Sequence, residues 1–242
     1  NDLMNSKNVQ KIDSILQHIS PSIKYTTPYI EKHAIIRKGL NTEGIIMYGV
    51  PENSLDKIFQ LDQFSKSKTL FHEDNGIIIG KILAESLDIN INEDLIIFNP
   101  EKIITHQIFE AKIFRVVNIF QTDFPEYDRL LTFIPINTAQ KYFGIDNMVN
   151  GLILNVNNPQ LTNEIDMKIT DALGVMPYMT TTWEERHSSL LQWLKIYDLP
   201  IKLIMFFITA VAVFNIGATL WMIIIEKTRD FGILQSMGLS KL

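Results

Sequence analysis

The sequence predicts an α+β domain joined to a membrane-spanning helix, and three observations predict it. The 23 residues from Leu203 to Ile225 carry no charged side chain. Residues 1–198 mix helical and strand-like apolar periodicities with turn residues between them. Beyond the apolar run the pattern resumes as EKTRDFGILQSMG, half apolar and ending on Gly238.

With 242 residues, 46% of them hydrophobic and 20% charged, the composition is globular and the chain is long enough to bury a core. A net charge of −5 and the lack of any Lys/Arg run longer than two argue against nucleic acid as a partner. Cysteine is absent, which removes disulfides, thiolate metal ligands and cysteine nucleophiles but leaves the compartment open. The chain starts at Asn1 without an initiator Met or a targeting segment, so a piece of a longer protein is expected.

Taken in order, Val9, Ile12, Ile15, Leu16 and Ile19 recur at helical spacing, and Pro21 is expected to close that helix. Strands follow at His33–Arg37 and Gly44–Val50, with LNTEG between them as a hairpin turn. GIIIGKILAESLDI reads as a buried strand passing into a helix, and DLIIFNP, KIFRVVNIF and LLTFIPI read as further strands. Asn137 and Gln140 form a capping-box pattern, with Gly144 as the stop. Asn158-Pro159 opens a helix whose Leu161, Ile165, Ile169 and Leu173 share one face before Gly174. Thr182 and Glu185 form another capping box, opening a helix with Leu190, Leu191 and Leu194 that points into the span. A kink or brief break is expected at Asp198-Leu199-Pro200.

The search for chemistry yields no catalytic, cofactor-binding or metal-binding residue. GIIIGK has three residues between its glycines where a phosphate loop needs four, and Ile82 where Ser or Thr would hold magnesium, so it reads as a strand-to-helix turn. His72-Glu73-Asp74 reads as a solvated loop, because adjacent residues on an extended chain point to opposite faces. The histidines at 18, 33, 72, 106 and 187 have no metal-ligand spacing. DFPEYDR, residues 123–129, reads as a turn around Pro125, and neither a nucleophile elbow nor a dinucleotide fingerprint occurs.

The apolar run is long enough, at about 1.5 Å per residue, to cross a hydrocarbon core of roughly 30 Å. Its Leu, Ile, Phe and Val side chains together favour insertion by about 4 to 8 kcal/mol before the cost of Asn215 and the threonines. Arg186, Lys195 and Lys202 before it nearly balance Lys227, Arg229 and Lys241 after it, so charge does not orient the span. Thr209, Ala212, Asn215, Ile216 and Thr219 fall on one stripe suited to contact with another helix. After the span, Phe231, Ile233, Leu234 and Met237 give a short helix an apolar face among Lys227, Arg229, Asp230 and Gln235. A two-turn helix is unstable alone, so that face is expected either to lie in the membrane interface or to dock on a cytoplasmic partner.

AVFNIGATLWMIIIEKTRDFGILQSMG closely resembles the end of the second transmembrane helix and the following cytoplasmic segment of permease subunits of lipoprotein-releasing ABC transporters. PSIKYTTPYIEKHAIIRKG, GIIIGKILAESLDININEDLIIF, RLLTFIPINTAQKYFG and TTWEERHSSLLQWL resemble the periplasmic domain of the same branch, in order and spacing. The resemblance implies that residues 1–198 are periplasmic, in an inner-membrane protein with further spans before and after this chain. It implies a ferredoxin-like porter subdomain at about 1–65 and 150–182, an inserted β-rich subdomain at about 66–149, and a stalk helix at 183–198. A transmembrane helix at 199–225 and a cytoplasmic coupling segment at 226–242 complete the implied order. Lys227, Arg229, Phe231, Ile233, Leu234 and Met237 would dock on a cytoplasmic ATPase dimer, and Thr209, Ala212, Asn215 and Thr219 would pack against another helix. The other implied partners are a second permease subunit, identical or homologous, the lipoprotein substrate and a periplasmic lipoprotein carrier. The stretch that matches the carrier-binding loop of one branch, NPEKIITHQIFEAK, carries only Pro100. The subunit itself would be non-catalytic and need no cofactor. A macrolide-exporter-like or cell-division-type permease of the same superfamily, or a single-span extracytoplasmic sensor, are the alternatives left open.

Overall fold

The computed structural model describes residues 3–19, 22–65, 71, 74–100, 110–174 and 178–238. The chain forms two compact units, Asn1–Thr180 and Thr181–Leu242. Pro21, His72, Glu73, Lys241 and residues 101–109 of the carrier-loop stretch lie outside the described residues.

The first unit starts with β1 (Met4–Asn5) and α1 (Ser6–Ile19), followed by the long strand β2 (Ile23–Lys38), β3 (Asn41–Val50) and α2 (Glu52–Lys57). Then come β4 (Gly76–Gly80), α3 (Lys81–Leu87), β5 (Asp94–Phe98), β6 (Ala111–Phe120), α4 (Pro125–Leu130), β7 (Leu131–Pro135) and α5 (Ile136–Phe143). It ends with β8 (Met148–Val149), β9 (Gly151–Val156) and α6 (Thr162–Leu173).

Six of these strands close on themselves. Around the ring β2 pairs with β3, β3 with β7, β7 with β4, β4 with β6, β6 with β5, and β5 again with β2. Closure leaves no free strand edge on the ring, which removes a template for unwanted pairing. Along β5, Leu95 and Ile97 point inward while Asp94 and Ile96 point outward, the two-residue period of a half-buried strand. β4 is buried at every position. Phe114, Val116, Ile77, Ile79, Ile36, Met47 and Ile134 meet in the core this creates, and α3 and α5 cover it with Leu83, Leu87, Ala139 and Tyr142. The Tyr142 hydroxyl donates to the Ile97 carbonyl at 2.8 Å, and burial raises its pKa above the usual phenol value.

The remaining elements form a second lobe. The first half of β2 pairs with β9, Ile23 with Val156 through Tyr29 with Gly151, and α1 and α6 pack on this pair through Ile12, Leu16, Ile165 and Ile169. β2 therefore serves both lobes, and it brings β3 into the barrel from a stretch expected with the chain ends at 1–65. β1 pairs with β8 as a separate two-stranded ladder.

Several local expectations are corrected. The hairpin turn is Gly39-Leu40, and most of LNTEG belongs to β3, because the ladder runs on to Lys38 opposite Asn41. Asn137 does not cap a helix. β7 runs directly into α5 at Pro135, no side chain caps that end, and the helix starts at Ile136, which packs on the barrel core. The DFPEYDR stretch is a helix with Pro125 at its first turn, where a missing N–H costs nothing. The Asn158 cap and the Gly144 stop are as expected.

Within that helix, Asp128 is 2% exposed and its Oδ1 accepts from both the backbone N–H and the hydroxyl of Thr122, each at 2.8 Å. It ties the loop after β6 to α4. Asp128→Ala leaves those donors without a buried acceptor, a loss of about 2 kcal/mol. The expected drop in melting temperature is about 4–8 °C by circular dichroism; an unchanged melt would show that water replaces the carboxylate there.

Candidate functional site

The second unit contains a short helix, α7 (Trp183–Arg186), and one very long helix, α8 (Ser188–Ser236). The capping box is formed as the spacing implied: Thr182 Oγ1 accepts from the Glu185 N–H and Glu185 Oε2 accepts from the Thr182 N–H, both at 3.2 Å. Two orphan donors of the first turn are satisfied reciprocally.

α8 has 49 residues, and at about 1.5 Å per residue it runs for about 73 Å. The expected break at Asp198-Leu199-Pro200 is absent, since the helix continues through Pro200. Proline there removes one hydrogen bond, and the turns on both sides hold the geometry. The helix does not stop at the charge knot either, so the expected separate two-turn helix after the span is the last part of the same rod. Glu, Lys and Arg are good helix formers, and a change in polarity is not a change in backbone preference.

The apolar stretch is bracketed by two ion pairs within the helix, Lys202–Asp198 at 2.8 Å and Lys227–Asp230 at 3.0 Å. Trp193 and Tyr197, with ring centroids 5.6 Å apart, precede it, and Trp221 stands near its other end. Trp and Tyr near both ends of an apolar run are what a membrane interface selects. α8 is long and apolar enough to cross a membrane, and none of its most apolar window is buried within the chain.

Along the stripe, Thr209 donates to the Met205 carbonyl and Thr219 to the Asn215 carbonyl, each at 2.8 Å. Both hydroxyls are satisfied inside their own helix. No side-chain hydrogen bond of Asn215 occurs among the described residues. Its carboxamide, with two donors and an acceptor, is therefore the group in the span that most needs a neighbour.

At the far end Phe231 is 63% and Met237 80% exposed. Lys227 precedes Phe231 by four residues and Asp230 precedes Leu234 by four, so their ion pair sits on the apolar face itself, one turn nearer the span. Arg229 likewise precedes Ile233 by four residues, at the margin of the face. The face is thus a mixed patch, charge first and apolar groups after, not an apolar stripe with charges behind it.

Among the described residues, no three His, Asp or Glu side chains converge as metal ligands. Lys81, the last residue of GIIIGK, is occupied with Gln121 Oε1 at 3.0 Å at the start of α3, in the strand-to-helix junction read from the spacing.

No protein-family model matches the chain. It is 25% identical over 225 residues to a lipoprotein-releasing system transmembrane protein LolC of Xylella fastidiosa, covering 91% of this chain and 54% of the relative. Over 234 residues it is 21% identical to the lipoprotein-releasing system transmembrane protein LolE of Haemophilus influenzae, covering 95% of this chain and 56% of the relative. The chain thus spans about half the length of the curated relatives it matches. Among solved structures, the extracellular domain of the ABC-type transporter YknZ from Gram-positive bacteria superposes with a TM-score of 0.48 at 14% identity, covering 72% of this chain and 86% of that one.

Proposed function

We propose that this LolC/LolE-like chain is part of a non-catalytic permease subunit of an ABC transporter that releases lipoproteins from the inner membrane. The observation that carries the reading is α8: one unbroken helix that includes a membrane-length apolar run and ends in an exposed patch of charged and apolar side chains. The similarity to lipoprotein-releasing permeases over about nine-tenths of the chain supports the same reading. Residues 1–198 would lie in the periplasm, with the chain-end lobe as the ferredoxin-like porter and the closed barrel as the inserted part. Residues 199–225 would cross the membrane. Lys227, Arg229, Phe231, Ile233, Leu234 and Met237 would meet a cytoplasmic ATPase dimer, and its closure on ATP would move the rod. A rigid helix can pass such motion to the periplasmic side, where the lipoprotein is handed to a soluble carrier.

The double variant Phe231→Asp, Leu234→Asp tests the docking patch in the full-length permease. Carboxylates where apolar side chains meet a partner should abolish co-purification of the ATPase, with the periplasmic unit still folded by circular dichroism. Retained association with normal coupled hydrolysis would refute the role. In the same preparation Asn215→Leu should reduce recovery of the second permease subunit by about threefold or more, the value of one hydrogen bond between membrane helices. Unchanged recovery would remove Thr209, Ala212, Asn215 and Thr219 as a packing stripe.

A further inference from the structure

We propose that Asn150 is a positioning residue that locks the two lobes of the first unit into one rigid lever. Between the lobes the described chain crosses between Tyr29 and Ile30 within β2, between Val149 and Gly151, and where β1, held on β8, enters α1. Pairing of β2 with β9 ends at Tyr29 and pairing with β5 begins only at Ile35, while Ile30 onward is laddered to β3. The change of partners at Tyr29 and Ile30 is where two lobes could flex.

Asn150 bridges that point. Its backbone N–H donates to the Tyr29 carbonyl at 2.9 Å, and its side-chain Oδ1 accepts from the Glu31 N–H at 3.0 Å. The carboxamide oxygen takes the place of a strand carbonyl, so the ladder gains one rung beyond the end of β9. The crossings within β2 and after β8 are thereby held by a single residue, beside the β1–β8 ladder at the third. Neighbouring groups stiffen the same point. The Tyr48 hydroxyl donates to Glu31 Oε2 at 2.8 Å, and the Tyr29 and Tyr48 rings stack at 6.2 Å. Gly151 lets the Tyr29 ring lie against the strand, since a Cβ there would be 3.2 Å from Cε1 of the ring. Bending at the joint requires breaking the Asn150 rung, not merely twisting a strand.

The use of this rigidity rests on the permease reading, in which the periplasmic part must pass on a push without yielding; the rigidity itself does not. With no cysteine in the chain, Leu40→Cys and Met167→Cys provide one spin-label site on each lobe, at residues 95% and 66% exposed. Electron–electron resonance on the labelled 242-residue chain in nanodiscs should give one narrow distance distribution. Asn150→Leu, similar in size but without the acceptor, should broaden it at least about twofold. The Glu31 amide should exchange about tenfold faster in that variant, as expected for one lost hydrogen bond, while the Lys32 amide, opposite Met47, keeps its rate. Asn150→Asp keeps the acceptor and should restore both readings. A parental distance width in Asn150→Leu, or an unchanged Glu31 rate, overturns the clamp. If Asn150→Leu does not fold, the unmodified chain decides, because a Glu31 amide that exchanges like an unprotected one overturns it equally. Loose lobes with an intact ATPase contact would sink the clamp alone. Rigid lobes with no effect of Phe231→Asp, Leu234→Asp would sink the permease reading alone.

Discussion

Replacing Gly80 by alanine should lower the melting temperature of the first unit by about 6–12 °C, the equivalent of about 3 kcal/mol for a unit of this size. A Cβ on Gly80 would lie 2.2 Å from the Asp128 carbonyl oxygen and 2.5 Å from its Cα. These are backbone atoms and cannot rotate away as a side chain would. Asp128 cannot retreat cheaply, because its carboxylate holds Thr122 through two hydrogen bonds. Gly80 is the last residue of a strand buried at every position, so β4 cannot shift outward without opening the barrel core. Gly44→Ala is the control: it sits on an exposed part of β3, nothing lies within 4 Å of the added Cβ, and its melt should match the parent. A Gly80→Ala melt within about 2 °C of the parent would show that α4 moves freely on the barrel.

The same junction shows what could be read from residues alone. The five-residue strand and the helix after it were legible in GIIIGKILAESL because an uninterrupted apolar run followed by helix formers leaves few alternatives. Asp128 was not legible, since a carboxylate among Asp123, Glu126 and Arg129 has the pattern of a solvated turn. Its burial depends on Thr122 and on how closely α4 approaches Gly80. The first half of β2 was missed for a related reason. IKYTTPY is polar, contains proline and becomes a strand only because β9, over a hundred residues later, pairs with it. Barrel closure likewise requires β2 to pair with β5, which local periodicity does not encode. Asn150 carries no mark beyond preceding a glycine. In α8 the error ran the other way. Charge and proline marked true boundaries of polarity at Asp198–Pro200 and Glu226–Asp230, but neither sets a boundary in the backbone, because intrahelical hydrogen bonds continue wherever the flanking residues favour helix.

That continuity leads to the second large effect, which concerns transmission and not attachment. Thr228 lies just beyond the apolar run, and its hydroxyl donates to the Ile224 carbonyl at 2.6 Å. Thr228→Pro removes the N–H that would bond that same carbonyl and places the ring against it, a local cost of about 3 kcal/mol that kinks the helix. The break falls just past the apolar run, the membrane exit on the permease reading, where water or headgroups can satisfy the orphaned carbonyl, so insertion should proceed. On the permease reading the patch from Phe231 to Met237 is left intact, so the ATPase should still co-purify and hydrolyse ATP. On the same reading lipoprotein release should nevertheless fall at least about tenfold if the motion must pass through one stiff rod, a loss in coupling equivalent to about 1.4 kcal/mol. Thr228→Ala, which loses the hydroxyl but keeps the helix, should release lipoproteins at the parental rate. Normal release by Thr228→Pro would mean that motion reaches the periplasm by another route. Loss of the ATPase along with release would mean that the patch needs the unbroken helix to be presented at all, and attachment and transmission would then be one property of α8.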